Sequence, residues 1–162
     1  MGVAVLILGE SGSGKSASLR NFKQEDVGIL NVASKPLPFR NVNKLQSMNK
    51  ATYASIKGAV CSGKKLSWVV DDAQYLMAFE SFDKVNEVGY GKFTTMAKNY
   101  EDMLRVVQED TSPDTIVYIM QHIDTDENGK VKAKTLGKML DQQLTVEGLF
   151  SIVLLCKADE RK

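Results

Sequence analysis

The residue types best suited to chemistry lie near the amino terminus, in a glycine-rich octapeptide that ends in lysine and serine. It consists of Gly9, Glu10, Ser11, Gly12, Ser13, Gly14, Lys15 and Ser16, and Ala17 follows it. We call this octapeptide the glycine loop. It fills every position of the pattern G-x-x-x-x-G-K-[ST], in which backbone N–H groups surround phosphate oxygens. In that pattern the lysine reaches the β- and γ-phosphates and the serine binds Mg²⁺. The glycine loop therefore predicts a nucleoside triphosphate site.

The residues beside the glycine loop supply the context that this pattern requires. The apolar run 3–8 predicts a strand before the loop, and residues 17–22 can continue a helix after it. Glu10 lies inside the loop and allows two interpretations. It could approach the terminal phosphate, or it could be an exposed loop residue.

A second candidate group is the pair of aspartates that closes an apolar strand predicted at 66–70. Asp71 is placed where a carboxylate could hold Mg²⁺ opposite Ser16. Asp72 could orient the attacking water as a general base, or it could cap the helix that follows. Glu80 is a rival base, but its position well inside that helix favours a surface charge.

The single histidine, His122, follows a strand predicted at 115–120. If the aspartate strand is not directly adjacent to the strand before the glycine loop, this strand should lie there. A polar group at its end can hydrogen-bond the terminal phosphate and report its presence. Gln121 could do the same, and the alternative for His122 is a packing residue.

Two further segments carry groups that suit nucleic acid. Lys130, Lys132 and Lys134 alternate along an extended segment, with Lys138 after them, so the first three would lie on one side. They could contact a phosphate backbone or a neighbouring subunit's nucleotide. Segment 89–93 combines two glycines, two aromatic rings and a lysine, which suits stacking on single-stranded bases. The alternatives are a solvated lysine-rich loop and a turn whose aromatic rings pack in the core.

The elements that must position these groups alternate between strand and helix. Strands are predicted at 3–8, 27–32, 66–70, 115–120 and 149–155, helices at 17–22, 51–60, 73–88, 96–107 and 135–144, a loop at 40–50 and a turn at 126–129. The buried face of the fourth helix should comprise Met96, Tyr100, Met103, Leu104 and Val107. This alternation predicts an α/β fold with a mainly parallel sheet of about five strands, covered by helices on both faces. Ligands of such sheets bind beyond the carboxyl ends of the strands, where the candidate groups would converge.

Composition limits the class of protein. The chain has 162 residues, of which 43% are hydrophobic and 25% charged, and a formal net charge of +1. These values suit one domain over residues 1–162 and provide no overall basic field for nucleic acid. The first apolar run is too short for a signal peptide or a membrane span. Cys61 and Cys156 lie far apart, so we expect no zinc site and two reduced, structural cysteines in a cytosolic protein.

Taken together, these residues resemble the small RecA-like ATPases of bacteriophages. The family comprises Sak-type, recombination-associated ATP-binding proteins encoded near single-strand annealing or single-strand-binding proteins. The resemblance lies in stretches 9–16, 35–40, 68–76, 89–93, the strand that ends at His122, 134–141 and 146–150. It covers nearly the whole chain. The first and third stretches are generic to P-loop ATPases, and the later ones are specific to this family.

The resemblance implies a three-layer P-loop ATPase core that assists recombination or annealing of phage DNA in the bacterial cytoplasm. It implies ATP and Mg²⁺ as cofactors, single-stranded DNA as partner, and assembly into homo-oligomeric rings or filaments. A phage single-strand-binding or annealing protein is a further expected partner. By position, Lys15 and Ser16 bind phosphate and metal, Asp71 coordinates the metal, and His122 takes the sensor place.

The chain departs from this pattern in two respects. RecA-like enzymes usually hold a catalytic glutamate at the end of an early strand, and the matching region 31–35 has none. We therefore expect Asp72 or an unrecognised group to act as the base, and slow hydrolysis. Such proteins also generally continue with further strands, so we expect a C-terminally shortened chain that lacks a DNA or subunit surface.

Other classes that use the same loop fit less well. A GTPase should carry an N-K-x-D motif, and the sequence has none. A small-molecule or nucleotide kinase needs several arginines around the transferred phosphoryl group, and only four arginines occur. An AAA-type helicase loader would normally carry Asp-Glu after the apolar strand and a helical C-terminal domain. A nucleotide-gated binding module that barely hydrolyses ATP is a further alternative.

Overall fold

The computed structural model describes residues 1–40, 45–136 and 144–159, in which strands and helices alternate along most of the chain. The strands are β1 (Val3–Gly9), β2 (Val27–Asn31), β3 (Ser47–Asn49), β4 (Ser67–Asp71), β5 (Ile116–Thr125), β6 (Val131–Ala133) and β7 (Ile152–Leu155). The α-helices are α1 (Tyr53–Val60), α2 (Gln74–Asp83) and α3 (Gly91–Glu109). Two 3₁₀ helices comprise Ser16–Asn21 and Val146–Leu149.

The strands form one sheet in the order β3-β2-β4-β5-β1-β7, and all neighbours in this order are parallel. β6 pairs antiparallel with the end of β5 and makes a hairpin with it. Because β5 lies between β1 and β4, the histidine strand is the direct neighbour of both the loop strand and the aspartate strand. The register pairs Gly9 with His122 and Val70 with Ile119. The carboxyl ends of β1, β4 and β5 therefore meet at one edge of the sheet.

The central strands are apolar on both faces, as expected for parallel strands covered on two sides. In β4, Trp68 and Val70 pack against the three α-helices, whereas Val69 faces the opposite side. The helical spacing of α3 correctly predicted its buried face, which comprises Met96, Tyr100, Met103, Leu104 and Val107. Most of the core therefore lies between the sheet and α1–α3.

The opposite face of the sheet has a thinner cover. Leu19 of the first 3₁₀ helix packs there with Leu37 and Leu45, which lie outside regular elements. Helices thus lie on both faces, as predicted, but all three α-helices pack on the same side.

The prediction of an α/β fold with a mainly parallel sheet is confirmed. The helix after the glycine loop has the predicted length of six residues, but it is a 3₁₀ helix and begins one residue earlier, at Ser16. Its serines compete for backbone groups, and Ser18 Oγ donates to the Lys15 carbonyl at 2.6 Å. Phe22 is then extended and ends the helix.

The prediction of about five strands was too low, because the described residues contain seven. β3 lies in a segment predicted as loop, and β6 was foreseen only as an extended segment. Three-residue strands are too short to show a hydrophobic period. β5 also continues past the predicted end at Met120 as far as Thr125, because its last residues pair with β6. The turn predicted at 126–129 is confirmed, whereas most of the helix predicted at 135–144 lies outside the described residues.

One edge of the sheet is apolar. In the part of the chain that the structure describes, β7 pairs only with β1, and its four residues Ile152–Leu155 are all exposed. Among the described residues, no helix combines the length and apolar character needed to cross a membrane.

Candidate functional site

The glycine loop joins β1 to the first 3₁₀ helix at the carboxyl edge of the sheet. Gly14 has a φ of +100°, a conformation that L side chains rarely adopt. A Cβ atom on Gly9 would lie 2.4 Å from Ser13 Oγ and 2.8 Å from the Cys156 carbonyl oxygen. Both glycines are therefore required for this tight path of the backbone.

Lys15 is folded back into the glycine loop and is only 5% exposed. Its Nζ donates to the carbonyl oxygens of Gly9 at 2.7 Å and Glu10 at 2.8 Å. Burial lowers the pKa of Lys15, while the charges of Asp72 and Asp71 act in the opposite direction. The loop thus holds an ammonium group whose hydrogen-bond partners are neutral carbonyls, a suitable arrangement for attracting an anion.

Ser16 and Asp71 contact each other directly, as expected for residues predicted to share a metal. Ser16 Oγ lies 3.0 Å from Asp71 Oδ1 and 2.9 Å from Oδ2. Burial, and then the negative charge of neighbouring Asp72, raise the pKa of Asp71. A cation would offset both effects, and hydroxyl and carboxylate oxygens are ligands that Mg²⁺ accepts. Within the described ranges, no three His, Cys, Asp or Glu side chains form a metal cluster, so water or phosphate would supply the remaining ligands.

Asp72 is the centre of a buried charge cluster. Its Oδ2 lies 2.7 Å from Lys35 Nζ, and its Oδ1 lies 3.2 Å from His122 Nε2. Its φ of +61° is unfavourable for a residue other than glycine, although aspartate tolerates it better than most. The alternative that Asp72 caps a helix is wrong, because Ala73 is the N-cap of α2 and no side chain caps that end. The strained backbone instead directs the carboxylate towards two nitrogen-bearing side chains.

His122 lies where β5 leaves its pairing with β1, directly beside Gly9. Burial, and then the positive charge of Lys15, lower the pKa of His122, while Asp72 acts in the opposite direction. The lowered pKa favours the neutral form of the ring. If it donates Nε2–H to Asp72, Nδ1 remains an acceptor. The ring is thus oriented by a carboxylate and contributes a second polar atom to the cluster.

Gln121, the alternative to His122, is committed to the core. It is fully buried, and its Oε1 accepts a hydrogen bond from Tyr100 at 2.6 Å. Its Nε2 donates to the backbone carbonyl of Lys134. The suggestion that Gln121 could contact a phosphate is therefore wrong, because both ends of its amide are already occupied.

Two other acidic residues are placed differently. The expectation that Glu80 is a surface charge was wrong, because its side chain is largely buried. Its Oε1 accepts hydrogen bonds from Lys84 and Asn99, each at 2.7 Å, and Glu80 has no hydrogen bond or ion pair with Asp71 or Asp72. Glu10 is exposed, as the simpler interpretation of the loop held.

The lysine segment lies on the β5–β6 hairpin. Lys130 and Lys134 are exposed and Lys132 is half-buried opposite Asp124, whereas Ala133 between them is buried. This alternation is compatible with the predicted placement of the three lysines on one side. The hairpin also approaches the charge cluster, since the Lys134 N–H donates to the His122 carbonyl at 2.8 Å. Lys138 lies outside the described residues.

The segment 89–93 is exposed rather than packed. Tyr90 is 90% exposed and Phe93 is also exposed, so the interpretation that both rings pack in the core was wrong. Val88 is fully exposed beside them. The α2–α3 connection therefore presents apolar and aromatic groups to the surroundings.

Sequence reasoning missed two residues at the site. Lys35 was noted only within stretches 31–35 and 35–40 and without a role, yet it forms the closest ion pair of Asp72. Cys156 follows β7, and its Sγ lies 3.0 Å from the carbonyl oxygen of Ser13 in the glycine loop. No local pattern announces either contact, because each depends on the order of strands in the sheet.

Three cavities lie around this edge. One of about 460 Å³ is lined by the exposed side of the glycine loop, Leu155 and Cys156. One of about 170 Å³ is lined by Tyr75, His122 and Lys134, among others. The largest, about 670 Å³, contains no residue of the loop and lies between residues 32–34, 50–53 and α2.

Comparisons with known proteins add no relative. No model of a known protein family matches the chain, and no curated protein is significantly similar to it.

Proposed function

We propose that this chain is a RecA-like P-loop ATPase that binds ATP with Mg²⁺ and assists phage DNA recombination or single-strand annealing. One observation carries the proposal. The glycine loop, Asp71 with Asp72, and His122 come from three separate parts of the sequence, and three adjacent parallel strands bring them to one edge. Ligands bind at this edge in open parallel sheets.

In this proposal, Lys15 and the loop backbone hold the β- and γ-phosphates. Ser16 and Asp71 hold Mg²⁺, which neutralises phosphate charge when bound. The contact of the Ser16 hydroxyl with both oxygens of Asp71 supports this assignment, because it places hydroxyl and carboxylate ligands that Mg²⁺ accepts side by side. The Cys156 thiol supports the glycine loop through its hydrogen bond to the Ser13 carbonyl oxygen.

Asp72 is the proposed general base, and His122 positions it. The oxygen of water bonds to the terminal phosphorus as the bond to the bridging oxygen breaks. The electron pair of that bond leaves with ADP, and Asp72 accepts the proton of the water. The contact between Asp72 and His122 supports these roles, since the ring lies against carboxylate oxygen Oδ1, while Oδ2 is paired with Lys35.

Single-stranded DNA is the proposed partner, and two exposed surfaces support it. Tyr90 and Phe93 can stack on bases, while Lys130 and Lys134 can contact phosphates. Because the β5–β6 hairpin is hydrogen-bonded to the His122 backbone, DNA bound there has a direct route to the charge cluster. We further propose that the protein self-assembles and works beside a single-strand-binding or annealing protein.

The cavity of about 670 Å³ favours a second candidate, phosphoryl transfer to a small molecule. Its volume suits a small organic acceptor, and its lining reaches Ser34, next to Lys35. In that case the acceptor hydroxyl would replace water as the nucleophile.

The test is ATP turnover by the purified chain, with and without single-stranded DNA, followed by analysis of all phosphorylated products. We expect slow release of phosphate that DNA accelerates. Phosphorylation of an added nucleoside or sugar would support the second candidate. Failure to bind either ATP or DNA would overturn the proposal.

A further inference from the structure

Lys35 is the residue of the charge cluster for which no motif predicts a role. It lies four residues after the end of β2, on the far side of Asp72 from β1. Its side chain is 53% exposed, whereas that of its partner Asp72 is only 8% exposed. An exposed ammonium is thus attached to a buried carboxylate, and half of its surface stays available to a ligand.

The position of Lys35 is fixed by its surroundings. Asn31 Nδ2 donates to the Lys35 carbonyl at 2.7 Å, and Ser34 just before it has a φ of +56°. The ammonium also lies 4.9 Å from the centre of the Tyr75 ring, within range of a cation–π contact. Both the backbone and the ammonium group of Lys35 are therefore held in place.

Lys35 and Lys15 are two cations that interact with the same two carboxylates, those of Asp71 and Asp72. The charge of Lys35 acts on Lys15, and the charges of Asp71 and Asp72 act on both lysines. Two ammonium groups near each other repel, so the space that both can reach favours an anion. Of the arginines in the described residues, Arg105 pairs with Glu101, and Arg20 and Arg40 have no ion pair with the cluster. Lys35 is therefore a second cation of the cluster, supplied from the end of β2, that can contact a phosphate.

We propose that Lys35 contacts the terminal phosphate of a bound nucleoside triphosphate and makes the site distinguish triphosphate from diphosphate. The proposal rests on the ATP-binding function proposed above. When the Lys35 ammonium group binds the phosphate, its ion pair with Asp72 Oδ2 breaks, while His122 stays in contact with Oδ1. The released oxygen can then accept a hydrogen bond from water, so that the base is exposed only when the triphosphate is present.

The experiment compares the affinities of Mg·ATP and Mg·ADP for the full chain by calorimetric titration. The variants are Lys35→Met, which keeps the apolar stem, Lys35→Arg, which keeps the charge, and Lys64→Met as a control for an exposed lysine outside the cluster. We expect Lys35→Met to weaken ATP binding about 10- to 100-fold and ADP binding by less than about threefold. Lys35→Arg should retain most of the preference for ATP, and Lys64→Met should behave like the wild type.

Equal losses for ATP and ADP in Lys35→Met, or no loss at all, would overturn the role of Lys35. If the wild type binds neither nucleotide, the ATPase proposal itself fails, and the two failures are thus distinguishable. Thermal unfolding of each variant separates a folding defect from a binding defect.

A double-mutant cycle with Asp72→Asn tests the exchange of partners. Asn tolerates a positive φ and keeps the shape of the side chain. Releasing Lys35 from the carboxylate should raise the affinity for ATP severalfold relative to ADP. This gain should vanish in the Lys35→Met background. The same gain in both backgrounds would contradict the proposed competition between Asp72 and phosphate.

Discussion

The carboxyl edge of β1, β4 and β5 holds the carboxylates of Asp71 and Asp72 buried and paired, whereas the α2–α3 connection and the β5–β6 hairpin expose most of their side chains. At the edge, Asp72 binds Lys35 and His122, and Ser16 binds Asp71. In the exposed segments, Tyr90 extends into the surroundings. This difference fits the proposed function, in which the packed sheet would hold the nucleotide and the exposed segments would bind the partner.

The largest effect is expected at the buried edge, when the ammonium group of Lys15 in the glycine loop is removed. Lys15→Ala removes a charge-assisted contact to two phosphates, and we expect ATP binding to fall about 1,000-fold. Equilibrium binding of Mg·ATP measures the effect, with Lys64→Ala as the matched control. Wild-type affinity in a folded Lys15→Ala variant would exclude the glycine loop as the phosphate site.

Removal of Asp72, the proposed base at the same edge, should slow ATP hydrolysis without preventing ATP binding. Asp72→Asn keeps the backbone conformation but cannot accept a proton, so turnover of saturating ATP should fall about 100-fold. Single-turnover phosphate release measures this step directly. Turnover within about twofold of the wild type would move the base elsewhere or support a module that binds without hydrolysis.

Removal of His122 tests whether the buried edge and the exposed segments are coupled. His122→Ala removes the group between Asp72 and the hairpin, so ATP binding should persist while its coupling to DNA affinity decreases about tenfold. The measurement is DNA affinity with ATP, with ADP and without nucleotide. Unchanged coupling would return His122 to a packing role.

The smallest effect is expected in the exposed region. Replacement of Lys130, Lys132 and Lys134 by Gln should reduce the salt dependence of DNA binding by up to about three units of slope. ATP affinity should not change, since none of these side chains lies in the glycine loop. A Lys57/Lys64 double variant controls for the loss of general positive charge. An unaltered slope in the triple variant would identify the segment as a solvated loop.

Much of the fold could be predicted because its information is local. The apolar runs of β1, β2, β4 and β5 and the helical period of α3 each lie within one continuous segment. β3 and β6 escaped notice because three residues cannot establish a period, and their pairing depends on neighbouring strands. The 3₁₀ form of the helix that begins at Ser16 reflects side-chain competition for the backbone, which apolar spacing does not reveal.

The residues of the candidate site that belong to sequence motifs could be predicted, and the others could not. The spacing of the glycine loop and the end of β4 indicated Lys15, Ser16 and Asp71, and the structure brings them together. The pairing of Asp72 with Lys35 could not be foreseen, because the two are separated by 36 residues and meet only through the β2–β4 register. Gln121 was misjudged for a related reason, since its partners come from α3 and from the residue that follows β6.

The most direct test of the account is the stoichiometry of ATP binding and its dependence on Mg²⁺. Titration of the wild-type chain with ATP, with Mg²⁺ and then with excess chelator, measures both. The account predicts one saturable ATP per chain, much weaker without Mg²⁺ and absent in Lys15→Ala. No saturable binding at millimolar ATP, or binding that Lys15→Ala leaves intact, would contradict it.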